Sequence, residues 1–357
     1  MNLKVCALSA GSNIKLLEEQ IREFKPEIAA VYNEQNALDL KQRVSDLTVK
    51  ILSGMDGLCE VSAHKDADLS VISVVGMVGL LPTVSAIKAK KDIALANKET
   101  LVTAGEIINK LVKENGVKIL PVDSEHSAVF QCLNASYNKK REIKRIILTA
   151  SGGPFFGKTK AELEKITPEM ALKHPNWDMG AKITIDSATM MNKGLEFIEA
   201  YWLFNVGTEQ IDVVIHRESI IHSMVEFCDN SIIAQLGVPN MTIPIQYAVT
   251  YPDRFPSPAQ QLDIVKVGSF TFHEPDNEVF PLLNVCKKAI SIGGTMPAAV
   301  NAANEEAVKL FLNGKISFAQ ISKTVSDILL SHKVTYNPEI KDILNTEKEV
   351  RNQVARL

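Results

Sequence analysis

The chain has 357 residues, 46% hydrophobic and 23% charged, with a formal net charge of −3; it reads as a folded protein too long for one ordinary core, with no nucleic-acid surface. Its five cysteines (Cys6, Cys59, Cys132, Cys228 and Cys286) form no CxxC pair, which excludes a disulfide framework or a cysteine zinc site and fits a reducing cytoplasm. No apolar run approaches the length of a membrane span, and the N-terminus has no signal-peptide pattern.

In chain order, residues 3–9 read as a strand, followed by a helix in which Leu17, Ile21 and Phe24 share a face. Residues 28–32, 49–52, 69–75, 93–96 and 117–122 read as further strands, with helical stretches such as 83–90 and 104–114 between them. Strand–helix alternation with near-continuous apolar strands implies an α/β fold, with a doubly wound, Rossmann-like parallel sheet over residues 1–122. Ligands of such sheets sit at the carboxyl ends of the strands. Residues 123–249 read as an α+β catalytic and dimerisation domain. Its expected strands are 143–149, 182–185 and 210–216, with 223–227 and 231–236 paired as a hairpin about Asp229 and Asn230. Pro252, Pro256, Pro258 and Pro275 mark residues 250–278 as a linker. The remainder, 279–357, reads as a C-terminal helical domain, with Thr295 as an N-cap and Pro297 in the first turn of a long helix.

Asp123, Ser124, Glu125 and His126 follow the strand at 117–122. Residues two apart point the same way in an extended strand, so both carboxylates can face one site. Like charges that close need a cation, or one must stay protonated. Hard oxygen ligands without cysteine favour Mg2+ or Mn2+ over zinc. A helix N-cap by Asp123 or Ser124, with Glu125 in the first turn, stands open on equal terms.

Residues 186–196 read as a helix with Ser187 at its N-terminus, where free N–H groups and the helix dipole attract anions. Thr189, Asn192, Lys193 and Glu196 form a polar stripe, and Met191, Leu195, Ile198 and Trp202 cover the opposite side. Lys193 can neutralise a phosphate, Asn192 and Ser187 can orient it, and Glu196 can complete the metal site. The plainer alternative is a solvent-facing stripe with a Lys–Glu pair. Ser151-Gly152-Gly153-Pro154 can turn backbone N–H groups toward an anion, or be an ordinary Gly-Pro turn. Residues 174–180, which include His174, Trp177 and Met179, suit a lid. Lys98, between Asn97 and Glu99, stands at the end of the strand at 93–96, where an anionic ligand would lie; His222 sits in an apolar run and is as readily a core residue.

Together these segments resemble the 1-deoxy-D-xylulose 5-phosphate reductoisomerase family. The matching stretches are residues 79–83, 95–99, 121–126, 151–155, 174–177, 186–196 and 301–305, in the family order. The resemblance implies conversion of 1-deoxy-D-xylulose 5-phosphate to 2-C-methyl-D-erythritol 4-phosphate in the non-mevalonate isoprenoid route, with NADPH and Mg2+ or Mn2+ as cofactors and a homodimeric assembly. It implies that Asp123, Glu125 and Glu196 hold the metal, and that Lys98, Glu125 and Glu196 are catalytic. Substrate contacts would come from Lys98, Ser124, Glu125, Ser151, His174, Trp177, Ser187, Asn192, Lys193 and Glu196. Gly11, Ser12, Asn13, Asn97, Glu99 and Gly180 would touch NADPH.

The family begins with a strand and a GxTGxxG turn, and here Met1 falls where the family's second strand starts. The expectation is an N-terminally truncated chain that binds metal and phosphate better than nicotinamide cofactor. Ser12 stands where a basic residue often meets the NADPH 2′-phosphate, with Lys15 as a substitute. Two competing readings are an impaired remnant that still folds and dimerises, and a metal-dependent sugar-phosphate isomerase or aldolase that needs no nicotinamide.

Overall fold

The computed structural model describes residues 3–173, 177 and 179–357. The chain forms two compact units: residues 1–100, 106–122 and 247–255 make the first, and residues 101–105, 123–246 and 256–357 the second.

In the first unit, β1 (Ala7–Ala10), β2 (Ile28–Val31) and β3 (Lys50–Ser53) pair in parallel in that order. A second parallel sheet holds β4 (Leu69–Ile72), β5 (Asp92–Leu95) and β6 (Ile119–Pro121), again in sequence order. The single wound sheet expected from the sequence is thus two three-stranded sheets among the described residues. Every residue of β2 is buried, as a parallel strand covered by helices requires. Its Ala29 and Val31 pack with Leu17 and Ile21 of the Ile14–Phe24 helix and with Leu40 of the Glu34–Arg43 helix. Asparagines start the helices that follow β1 and β2: Asn13 accepts from the Leu16 N–H at 3.3 Å, and Asn33 from the Asn36 N–H at 2.9 Å.

The second unit is built on a mixed sheet of β7 (Ile143–Ala150), β8 (Ile211–Ile215), β9 (Ile221–Phe227) and β10 (Ile232–Leu236), in the order β10-β9-β7-β8. β8 runs parallel to β7, and β9 antiparallel to both β7 and β10. The β9–β10 hairpin turns where expected: Asn230 takes φ 67°, and the Asp229 carboxylate accepts from the Ser231 N–H at 2.9 Å.

Two local expectations fail here. Residues 182–185 lie in a helix, Ala181–Ala188, rather than in a strand. The alternation of Ile183 and Ile185 imitates a strand, but Thr184, Ile185, Asp186 and Ala188 are the buried set of a helix that packs against Met296–Leu312. The expected single helix over 186–196 is broken at Met190, whose φ of 63° is left-handed, and a new helix runs Met191–Phe204. Ser187 therefore ends one helix instead of beginning another.

Helices Leu282–Ile292, Met296–Leu312, Phe318–Ser331 and Ile340–Val354 close the core of this unit. Phe155, Leu195, Phe197, Phe311 and Phe318 belong to one continuous buried cluster, with Phe155 edge-on to Phe318 at 5.2 Å. Thr295 does precede the long helix and Pro297 lies in its first turn, but the Thr295 hydroxyl is used elsewhere, accepting from the Thr335 N–H at 3.0 Å. Polar ties add register: Asn304 donates to the Asp186 carboxylate at 2.8 Å, and Lys182 pairs with the same group at 2.8 Å. Gly194 marks a close helix crossing. A Cβ there would lie 2.6 Å from Cys286 Sγ and 3.1 Å from the Leu282 carbonyl oxygen. Gly194→Ala should destabilise the protein by about 1–3 kcal/mol through overpacking, read as a lower urea midpoint at an unchanged m-value. An unaltered midpoint would contradict this contact.

Candidate active site

Asp123 is the N-cap of the Ser124–Cys132 helix, its Oδ1 accepting from the N–H groups of Glu125 (3.1 Å) and His126 (3.4 Å). The capping alternative thus describes the backbone, and the extended-strand argument does not. The carboxylates meet all the same. Capping folds Asp123 back over the first turn that carries Glu125, and Glu196 arrives from the Met191–Phe204 helix. Ligand oxygens of Asp123, Glu125 and Glu196 lie within 4.8 Å of one another.

Lys193 is buried among them, its Nζ 2.9 Å from Glu125 Oε1 and also bonded to the Glu196 carboxylate. Burial works against the ammonium, but Glu125 and Glu196 outweigh it and raise its pKa. Asn192 donates to Glu196, and Ser124 to Glu125 at 2.6 Å, so each ligand carboxylate is aimed by a neighbour. Beneath them His126 is wholly buried, with Nδ1 2.9 Å from Asp123 Oδ1 and 3.5 Å from Glu199 Oε2, and Nε2 2.9 Å from the Glu196 carbonyl oxygen. Burial alone would lower its pKa; Glu199 and Asp123 lift it to about 9.

An all-oxygen donor set of three carboxylates fits a hard divalent ion, Mg2+ or Mn2+.

The turn after β7 carries Ser151. Gly152 (φ 74°) and Gly153 (φ 67°) are both left-handed, and the Gly153 N–H donates to Ser151 Oγ at 3.2 Å. A Cβ on Gly153 would stand 2.7 Å from the Ser187 carbonyl oxygen, so the turn rests directly on the segment bearing Ser187. Ser187 cannot use the amides of a helix N-terminus, because it sits in the last turn of Ala181–Ala188. Its hydroxyl is what remains to grip an anion. Trp177 faces His222 at 6.1 Å between ring centres, and burial lowers the His222 pKa to about 4, leaving it neutral. Gly180 is the N-cap of Ala181–Ala188; His174 lies outside the described residues.

In the first unit, Gly11, Ser12 and Asn13 are exposed at the carboxyl end of β1. Lys98 and Glu99 are buried in the first turn of the Lys98–Asn115 helix, after β5. Asn97 caps that helix, and its side chain is engaged within the unit. It accepts from the Thr100 N–H at 3.0 Å and donates to the carbonyls of Val74 (2.7 Å) and Gly76 (2.8 Å). A cofactor contact at Asn97 therefore falls to its backbone. The sequence reading gave no role to His126, Glu199 or Arg217. His126 stands three residues after the cap, a spacing that places it on the same turn; Glu199 and Arg217 carry no local signal.

A unit of parallel strands and helices, and a second unit in which three carboxylates come within 4.8 Å of one another, define an α/β protein with the donor chemistry of a divalent-metal enzyme. Family profiles agree and are narrower: 1-deoxy-D-xylulose 5-phosphate reductoisomerase matches residues 1–105, and its C-terminal domain profiles match 119–204 and 236–353. The chain is 52% identical over 357 residues to the 1-deoxy-D-xylulose 5-phosphate reductoisomerase of Ruminiclostridium cellulolyticum, covering all of this chain and 93% of that protein. It is 54% identical to the enzyme of Acetivibrio thermocellus at the same coverage. Among solved structures, the Zymomonas mobilis enzyme in complex with NADPH superposes with a TM-score of 0.92 at 41% identity, over 98% of this chain and 90% of that one. A reductoisomerase in complex with NADPH, fosmidomycin and magnesium gives 0.93 at 40% identity, over 98% and 90%. The chain belongs to the 1-deoxy-D-xylulose 5-phosphate reductoisomerase family. No helix among the described residues is long and apolar enough to cross a membrane.

Glu196→Gln removes one formal charge from the cluster and should weaken Mn2+ binding at least about tenfold, a loss on the order of 1.4 kcal/mol. Electron paramagnetic resonance titration checks this, and undiminished Mn2+ affinity would count against the cluster as a metal site.

Proposed function

We propose that the chain converts 1-deoxy-D-xylulose 5-phosphate to 2-C-methyl-D-erythritol 4-phosphate with NADPH, at the carboxylate cluster of its second unit. The observation that carries this reading is the approach of Asp123, Glu125 and Glu196 to within 4.8 Å, with Lys193 buried between two of them. Asp123, Glu125 and Glu196 would hold Mg2+ or Mn2+, which supplies Lewis acidity to the ketone and a neighbouring hydroxyl of the sugar phosphate. NADPH supplies the hydride that reduces the rearranged aldehyde.

The chain's own residues do the rest. Ser151, Ser187, Asn192 and Lys193 grip the phosphate, whose binding far from the reacting bonds positions the carbon chain. Glu125, Glu196 and Lys98 handle protons and developing charge at the oxygens, and Ser124 orients Glu125 by its hydrogen bond at 2.6 Å. Trp177, with His174, covers the carbon chain and excludes water. Gly11, Ser12, Asn13, Asn97, Glu99 and Gly180 contact NADPH, Asn97 through its backbone. The first unit serves as the nucleotide-binding part and the second as the metal and substrate part. We also propose a homodimer, paired along the exposed edge of β10, where Ile232, Ile233 and Leu236 are solvent-facing apolar residues. Five free cysteines fit work in a reducing cytoplasm.

Loss of NADPH absorbance on addition of 1-deoxy-D-xylulose 5-phosphate should require Mg2+ or Mn2+, stop with a chelator, and vanish in Glu196→Gln. Consumption of the sugar phosphate without loss of NADPH would overturn the reading in favour of a plain isomerase or aldolase.

A further inference from the structure

Two consecutive left-handed glycines leave the 151–153 turn with little intrinsic preference for one conformation. Something outside the turn has to fix it. Arg217, two residues past the end of β8, donates from Nη1 to the carbonyls of both Ser151 and Gly153, the latter at 2.7 Å. Its guanidinium also lies over the Phe156 ring, 5.2 Å from the centroid. From the other side the turn is stopped by backbone: a Cβ on Gly153 would meet the Ser187 carbonyl oxygen at 2.7 Å and Ala188 Cα at 2.9 Å.

The direction of these bonds matters. A peptide is planar, so its carbonyl and the following N–H point in opposite senses. Holding the Ser151 carbonyl on Arg217 therefore aims the Gly152 N–H away from Arg217. The Gly153 N–H, bonded to Ser151 Oγ at 3.2 Å, fixes the serine hydroxyl in the same frame. Bonds from a guanidinium are charge-assisted, and the two hydrogens of Nη1 serve the two acceptors at once.

We propose that Arg217 is a positioning residue for the phosphate end of the substrate: by clamping the Ser151 and Gly153 carbonyls it sets the Ser151 hydroxyl and the Gly152 amide in register with Ser187. The proposal rests on the reading of Ser151 and Ser187 as phosphate contacts. Arg217 works through the turn and needs no contact with the reacting carbons.

The test uses full-length R217M, R217K and S151A, with steady-state kinetics, inhibition by inorganic phosphate, and Mn2+ titration. R217M should raise KM for the sugar phosphate and the inhibition constant of phosphate by about tenfold, the scale of one lost charge-assisted bond, while kcat and Mn2+ affinity stay within about twofold. R217K should recover part of the loss, because an ammonium can still reach a carbonyl. Should R217M not fold, R217Q reads the same two constants. Unchanged KM and phosphate inhibition in the Arg217 variants, alongside a raised KM in S151A, would overturn the clamp and leave the phosphate reading standing. No change in S151A as well would overturn both. A matching loss of Mn2+ affinity in R217M would mark general support of the fold and also overturn the clamp.

Discussion

Repulsion among carboxylates is the constraint around which the second unit is arranged. Asp123, Glu125 and Glu196 crowd within 4.8 Å, and Glu199 lies just behind. At an effective dielectric near 20, each such pair repels by roughly 3 kcal/mol. That is a large fraction of a domain's net stability, so the cluster survives only with cations built in. Lys193 serves Glu125 and Glu196, and His126 serves Asp123 and Glu199. The two differ in kind: the lysine ends a long stem and is paired with two side-chain carboxylates, whereas the histidine is locked between a carboxylate and a backbone carbonyl.

Local structure does double work at this point. Capping a helix and joining a carboxylate cluster are usually counted as alternatives for an aspartate, yet Asp123 does both, because a carboxylate can accept from several partners. The left-handed residue Met190 has a comparable logic. Interrupting the helix costs about 1–2 kcal/mol of backbone strain, and it puts Ser187 and Lys193 on two helices instead of around one.

The parallel strands were legible because their apolar runs are nearly unbroken: β2 was expected at 28–32 and spans Ile28–Val31, and β5 was expected at 93–96 and spans Asp92–Leu95. The β9–β10 hairpin was legible from Asp229 and Asn230 alone. The Ala181–Ala188 helix was misread because Ile183 and Ile185 satisfy period two, and eight residues are too few for period 3.6 to declare itself. The break at Met190 had no signal at all, since methionine carries no preference for a left-handed backbone. Within the site, the acidic residues stood out by chemistry and their neighbours by order along the chain. His126, Glu199 and Arg217 act through partners distant in sequence or through carbonyls, and neither leaves a pattern that composition or spacing can report.

One continuous apolar interior runs from the β7–β9 strands through Leu195 and Phe197 into the last four helices, and the bond from Asn304 to Asp186 crosses the same ground. A gene fragment ending near residue 250 would strip the inner faces of the very helices that present Lys193 and Glu196. The terminal helices are thus no detachable appendage that recombination could trade between proteins. Their sequence is free to drift only as fast as the packing around the Met191–Phe204 helix permits.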